Sequence, residues 1–421
     1  MPQAKQAPGD LLEWLEKHEN APENSAQTIV KSTPHQSPPC LRPFLDVHQS
    51  WSALELGPGP ADPAAVSALY AHHCRQPAPL VHPWLVSLEG LEPPAGLPAK
   101  QQILFLSPAQ WRDAGTEGTR QGLVHQGYRL GGDASSGAEL EQLAKAGAQW
   151  LRLDACTAKD QISPLLLHRL EEKGLTLVAT GVTSHELFSW CCNRGFALMS
   201  GEFVSRREDW PASQADPTKL RLLRLLSLTV QDADTREIED MIKQEPKLAY
   251  NLLRLVNSVS VGACTKITTF AQAITLLGRR QLQRWLQLLI YANQFSPDNQ
   301  SNPLMPQAAL RGRLLELIAG KARPDGEFAD SAYIAGAFSL LDVLLQIPMS
   351  GILATLPLAE PVAQALESHQ GTLGQALVLV ESLERGEAID QALLQQLHLT
   401  PETLGSIQVD ALAFAGHLSL E

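Results

Sequence analysis

Histidine is missing from most of the second half of this chain: none of the 12 falls between His185 and His369, and none anywhere is followed by Asp. A helical phosphohydrolase working on a His and Asp metal cluster needs several such ligands to converge, so that chemistry is not expected there. The six cysteines (Cys40, Cys74, Cys156, Cys191, Cys192, Cys264) show no C-x-x-C spacing. A chain of this size needs no covalent staples, so reduced thiols and a cytoplasmic location are expected. Positive charge is also short: 33 Lys and Arg against 45 acidic residues leave a net charge of -12. Such a balance repels a polyphosphate backbone, and nucleic acid is not expected as a partner. The opening MPQAKQAPGD lacks the apolar core of a secretory signal. The longest nearly uncharged run, Ala332 to Ile347, is broken by Asp342 and falls short of the roughly 20 residues a bilayer crossing takes, so no membrane insertion is expected.

What remains is a globular composition. The 421 residues are 44% hydrophobic and 19% charged, enough for two or three domains with cores of their own. Residues 1–40 are rich in Pro, Gln, Ser and Asn and read as a flexible N-terminal tail. Within it, Asp10 to His18 carries Leu11, Leu12, Trp14 and Leu15 behind an Asp cap; this short helix either docks elsewhere or packs on its own domain. Between 41 and 207, β-like runs (Gln102 to Leu106, Tyr128 to Leu130, Trp150 to Leu153, Leu175 to Ala179) alternate with helix-like segments (Ala138 to Gly147, Ser163 to Lys173). That rhythm predicts βα units around a mainly parallel sheet or barrel.

From Asp216 onward the apolar spacing is helical and strand signals vanish. Pro246 suits the first turn of a helix whose Leu248, Leu252, Leu255 and Val256 share a face. Thr268 or Thr269 can cap the next, where Phe270, Ala273, Ile274 and Leu277 recur before Gly278 ends it. Further helices are predicted at 282–293, 308–321, 331–346, 360–368, 373–385 and 388–397, with a loop at 296–306. Several tempting groups read as structural. Asp330 and Asp342 are read as isolated carboxylates, solvated or capping, and Cys191 and Cys192 as buried thiols. His72, His73 and Cys74 lack a second ligand cluster, Arg279, Arg280 and Arg284 form a solvated helix face, and Asn257 and Ser258 hold a helix end.

Two stretches, EPKLAYNLLRLVNS (Glu245 to Ser258) and KITTFAQAITLLGRRQLQRWL (Lys266 to Leu286), resemble the HDOD signature, carried by Pro246, Leu248, Leu252, Leu253, Asn257, Ser258, Ile274 and Gly278. The family is similar to an HD phosphohydrolase fold without its metal-binding residues. Ala337 to Glu387 resembles the later part of the bacterial signalling proteins that join an EAL domain to a C-terminal HDOD domain.

That resemblance implies a TIM-type barrel in the first half, hydrolysing cyclic di-GMP on two divalent ions, with a lysine near the attacking water. Here the matching positions are altered. In YRLGGDASSGAEL (Tyr128 to Leu140) Gly132 replaces the first of two aspartates and Asp133 remains. In WLRLD (Trp150 to Asp154) Arg152 stands at the lysine position and Asp154 is kept; a guanidinium is a poor proton acceptor. Thr180 and Thr183 replace two glutamates in ATGVTSHE, and Ser200 precedes Gly201 where Gln-Gly is usual. ILFLS (Ile103 to Ser107) has no carboxylate, the Gly90 region has no matching Asn, and Glu55 in WSALELG is the one candidate for the name-giving acid.

The expected architecture is therefore an α/β degenerate TIM-barrel-like EAL domain at 41–207, an all-α HDOD domain at 210–390 and a helical tail at 391–421. A barrel of about 165 residues against roughly 250 for an ordinary one implies missing or reduced elements. Two divalent cations need several anionic ligands at about 2.0–2.6 Å, and Asp133, Asp154 and Glu55 are few. The expectation is a catalytically inactive signal-transduction adaptor, with no enzyme activity, metal or cofactor. It would act through contacts with a protein such as a sensor kinase or response regulator, and retained cyclic di-GMP binding is not expected. The alternative is a cyclic di-GMP receptor or residual phosphodiesterase acting through the barrel.

Overall fold

The computed structural model describes residues 40–57, 62–76, 79–88, 90–207, 217–231, 235–243, 272, 279–292, 303–323 and 325–416. Residues 37–421 belong to one compact unit. Eight strands close a barrel: β1 (Cys40–Leu45), β2 (Trp51–Gly57), β3 (Trp84–Leu88), β4 (Gln102–Leu106), β5 (Arg129–Asp133), β6 (Trp150–Asp154), β7 (Thr176–Thr180) and β8 (Phe196–Met199). β1 runs antiparallel to both of its neighbours, and the remaining pairs are parallel. The β1–β2 hairpin turns on Asp46, whose Oδ1 accepts the backbone N–H groups of His48 (2.8 Å) and Ser50 (3.0 Å).

The shortfall expected in the barrel lies in its connections, since no strand is missing. Among the described residues the crossover helices are α1 (Pro63–His73), α2 (Pro108–Arg112), α3 (Glu117–His125), α4 (Gly137–Lys145), α5 (Ala155–Gln161), α6 (Pro164–Glu172) and α7 (His185–Cys192), none longer than 11 residues. Among the described residues the β3–β4 connection carries only the 3-10 turn Ala99–Gln101.

Strand alternation sends Phe44, Ala53, Leu85, Ile103, Phe105, Val178 and Leu198 into one interior cluster, with Trp150 packed against it. β5 crosses this layer with Gly131, where a Cβ would come within 2.8 Å of the Phe105 ring. Glycine is required there because the large neighbouring rings already fill the space.

Among the described residues the helical half carries α8 (Pro217–Val230), α9 (Thr235–Lys243), α10 (Arg279–Ala292), α11 (Leu304–Ala322), α12 (Gly326–Phe338), α13 (Leu341–Leu345), α14 (Met349–Leu353), α15 (Glu360–Ser368), α16 (Gly371–Arg385), α17 (Gln391–Gln396) and α18 (Pro401–Gly416). The end of the expected loop is helical: Pro306 falls in the first turn of α11, where its missing N–H costs nothing. The single helix expected at 331–346 is two, parted at Ser339, whose Oγ donates to the Gly336 carbonyl at 2.7 Å. The combined stretch Gly326–Leu345 is long and apolar enough to cross a bilayer by composition, and 61% of its most apolar window is buried within the fold. α11 and α12 approach backbone to backbone, because a Cβ on Gly336 would stand 2.4 Å from the Arg311 carbonyl oxygen.

The two halves are joined by polar contacts on β1 and α1. Leu41 donates its N–H to Gln408 Oε1 of α18 at 2.8 Å, and the Cys40 thiol donates to the Leu383 carbonyl of α16 at 2.8 Å. Asp410 of α18 meets both His72 Nε2 (2.7 Å) and Gln76 Nε2 (2.6 Å). The stretch 391–421, expected as a tail, thus places α18 against α11, α1 and β1.

Candidate functional site at the barrel mouth

The alternation that fills the barrel with apolar side chains puts charge one step further along the same strands. Glu55 lies two residues beyond Ala53, Ser87 two beyond Leu85, Asp133 two beyond Gly131 and Arg152 two beyond Trp150. Glu55, Ser87 and Asp133 stand toward the C-terminal ends of their strands, where barrel enzymes build their sites, and Arg152 reaches them from the middle of β6. β1 runs the other way, so Arg42, two residues before Phe44, reaches the same end and pairs in register with Glu55.

These side chains form one network. Arg152 Nη1 donates to Glu55 Oε1 at 2.5 Å, its Nε and Nη2 hold the two oxygens of Asp133 at 2.5 and 3.0 Å, and Nη2 reaches Ser87 Oγ at 3.1 Å. The guanidinium lies 4.2 Å from the centre of the Phe105 ring, a cation–π seat that fixes its plane. Burial works against the Arg152 charge, but Asp133 and Glu55 outweigh it and hold this side chain above its ordinary pKa. The other oxygen of Glu55 accepts from Arg42 Nη2. Glu55 is only 4% exposed, whereas the Asp133 side chain is 48% exposed and forms the open side of the network.

The other expected positions are near but differently employed. Asp154 Oδ1 accepts from Thr157 N (2.8 Å) and Oγ1 (2.9 Å), capping α5. Thr180 donates its hydroxyl to the Leu153 carbonyl at 3.2 Å. Thr183 is half-buried in the turn before α7, and Ser200 is buried, its backbone N–H bonded to Ala179 O and its carbonyl to Val182 N. Gly132 faces the outer helices: a Cβ there would meet Leu143 at 2.7 Å and Trp111 Nε1 at 2.8 Å. The space for an aspartate at that position is therefore taken.

Arg42 and Ser87 are participants that the sequence reading missed. The signal for Arg42 is the Arg-x-Phe alternation in CLRPFL, which Pro43 interrupts. Among the described residues no group of three or more His, Cys, Asp or Glu could hold a metal ion. The residues at the mouth do not fit the pair of divalent ions implied by the resemblance, because Arg152 already engages both Glu55 and Asp133.

In the helical half, Pro246, Leu248, Leu252, Leu253, Asn257, Ser258, Ile274 and Gly278 lie outside the described residues. The solvated face expected around Arg284 is corrected. Its side chain is 15% exposed, pairs with Glu316 (2.5 Å) and Asp330 (2.7 Å), and lies 4.7 Å from the Tyr333 ring centre. Asp330 is for the same reason not isolated. Cys191 is buried, which pushes its thiol up to about 12.

Over 215 residues the chain is 29% identical to the uncharacterized Bacillus subtilis (strain 168) protein YuxH, covering 50% of this chain and 52% of that one. Over 211 residues it is 27% identical to the Vibrio cholerae serotype O1 protein named cyclic di-GMP phosphodiesterase CdgJ, covering 50% and 48%. The chain spans about half the length of the curated relatives it matches. This similarity overturns the expectation of a chain without enzyme activity, since the Vibrio cholerae relative bears a phosphodiesterase's name.

Among solved structures, Klebsiella pneumoniae BlrP1 in its manganese and cyclic di-GMP complex overlaps 42% of this chain and 56% of its own, at 18% identity and a TM-score of 0.33. A standalone EAL protein from Vibrio cholerae O395, bound to cyclic di-GMP, overlaps 40% and 91% at 13% identity and a TM-score of 0.32. Superpositions this loose bear on neither fold nor chemistry. Residues 217–352 match the family described as the HDOD domain, and the helical half of the chain carries an HDOD domain.

Proposed function

We propose that the chain works in cyclic di-GMP signalling, through an EAL-like barrel that takes the cyclic dinucleotide at its mouth, with phosphodiester hydrolysis as the associated activity. The relationship to a protein named as a cyclic di-GMP phosphodiesterase supports the substrate class. The observation that carries the site is the Arg152 fork, closed on one side by buried Glu55 and on the other by half-exposed Asp133. A planar guanidinium matches phosphate oxygens in pairs. Its solvent-facing partner is the one an incoming phosphate can replace, since Asp133 recovers its hydration on release while Glu55 would not. The site for the phosphate is thus the Asp133 side of Arg152, with Phe105 behind it.

Calorimetry with cyclic di-GMP, and chromatography of the same mixture after incubation, test this reading. Saturable binding and formation of the linear dinucleotide are expected, both reduced about tenfold by Arg152→Gln, the scale of one charge-assisted hydrogen bond. Absence of heat at millimolar nucleotide together with absence of linear product refutes it.

A further inference from the structure

The mouth network does not end inside the barrel. Arg42 Nη2 holds Glu55, and Arg42 Nη1 donates to the carbonyl oxygen of Arg385 at 3.2 Å, the last residue of α16 in the helical half. Helix C-termini carry unpaired carbonyls and a partial negative charge, so a guanidinium is favoured there. The next residue, Gly386, has φ +66°, and a Cβ on it would lie 2.1 Å from Arg42 Nη1. Arg42 is therefore clasped between the floor of the mouth and the end of α16. Its Nε is buried without a hydrogen-bond partner, an unspent donor that leaves a second arrangement of the group open to it.

We propose that Arg42 is a positioning residue for the mouth, through which the end of α16 sets how Glu55 and Arg152 are disposed toward the nucleotide. The inference rests on the mouth being the nucleotide site. Glu55 is too buried to stand without a compensating cation, and two guanidinium groups share it. When α16 draws Arg42 toward its terminal carbonyl, Glu55 leans on Arg152, and less of Arg152 is left for Asp133 or a phosphate in its place. When α16 releases Arg42, Glu55 is satisfied from below and Arg152 is freed toward the opening. By linkage, nucleotide that withdraws Arg152 from Glu55 strengthens Glu55–Arg42 and loosens the end of α16.

α16 also carries Glu381 and Glu384, which hold Arg311 of α11. A displacement at its C-terminus is thereby shared with the packed centre of the helical half. A disturbance of that half has in this way a short route to the mouth through hydrogen bonds and ion pairs.

The test uses the full chain and hydrogen exchange of residues 133–136 and 152–157, the rim of the mouth. Gly386→Ala presses on the Arg42 guanidinium from the helical side while leaving every residue of the barrel unchanged. Arg42→Lys keeps a cation beside Glu55 but cannot bridge to the Arg385 carbonyl at the same time. Gly386→Ala alone should change rim exchange about fivefold, within the usual range of coupling between sites. Added to Arg42→Lys it should change nothing further.

An unchanged rim in Gly386→Ala, or equal changes in both backgrounds, overturns the proposal. Circular dichroism of each variant separates either result from loss of fold. Protection of the same rim by cyclic di-GMP in the unmodified chain is read separately. Its absence refutes the nucleotide reading, while the variant comparison still decides the role of Arg42.

Discussion

Arg152 in the barrel and Arg311 in the helical half are both nearly buried guanidinium groups held by two carboxylates and a serine, and they differ in where those carboxylates lead. Arg311 meets both oxygens of Glu384 at 2.7 and 2.6 Å and Ser339 Oγ at 2.9 Å, with Glu381 at 3.6 Å. Its acids are 14% and 22% exposed. Arg152 makes a similar set of bonds, but Asp133 is 48% exposed. A charge whose partners are all withdrawn from water cannot exchange them without leaving one stranded. A charge with one solvated partner can. The same chemistry thus makes a lock between α11 and α16 and an exchangeable seat at the mouth.

The largest effect expected from breaking this contrast comes from Arg311→Ala, which strands Glu384 and should cost about 3–5 kcal/mol in urea denaturation. Replacing both partners together, Arg311→Met with Glu384→Leu, should recover most of that loss, since an apolar pair of similar volume has no charge to desolvate. Arg152→Ala should cost less, about 1–3 kcal/mol, because Glu55 keeps Arg42 and Asp133 returns to water. Equal losses at the two arginines would show that the open and closed networks are energetically alike. Gly132→Asp sharpens the comparison within the barrel. It forces a side chain between Trp111 and Leu143, an overpacking that should cost about 1–3 kcal/mol by thermal melting. It should leave nucleotide affinity unimproved, because the added carboxylate faces the outer helices.

The fold was legible where periodicity was strong. β4, β6 and β7 and most of the long helices follow from apolar spacing. β1, β2, β3 and β8 are not among the runs read as strands: Pro43 interrupts the pattern of β1, and the four residues of β8 are too few to show one. Arg152 was visible as an altered motif position and Asp133 as a retained one. That Arg152 grips Glu55, 97 residues away, was not, since no local pattern encodes which strands meet across a closed barrel. Arg42 was hidden for both reasons, lying on the unread strand and contacting α16 some 343 residues later. Burial decided Arg284: its charge suggested a solvated face, but Tyr333, Glu316 and Asp330 enclose it.

The smallest effect separates the two networks by pH. His369 caps α15 at φ 56° and stands 3.3 Å from Glu381, beside a cavity of about 340 Å³ that Arg311, Asp342, Glu384 and Arg385 also line. The hydrogen bond to Glu381 holds the imidazole above its ordinary value of 6.5, against the opposing effects of burial, Arg311 and Arg385. Burial pushes the Glu381 carboxyl up, but the His369 bond and the nearby arginines outweigh it and leave it below its ordinary 4.5. A histidine raised on folding contributes stability below its unfolded value and loses it as pH rises through the folded one; a depressed carboxylate contributes above its unfolded value and loses it on acidification. The pair is therefore complete between about pH 4.5 and 6.5 and weakens on either side. His369 is 41% exposed, so solvent screening limits the effect to about 0.5 kcal/mol. Thermal melts of the full chain and of His369→Gln should differ near pH 5.5 and converge by about pH 8, with added salt narrowing the gap. A difference that persists unchanged at the alkaline end would mean that His369 acts through its backbone conformation and not its charge.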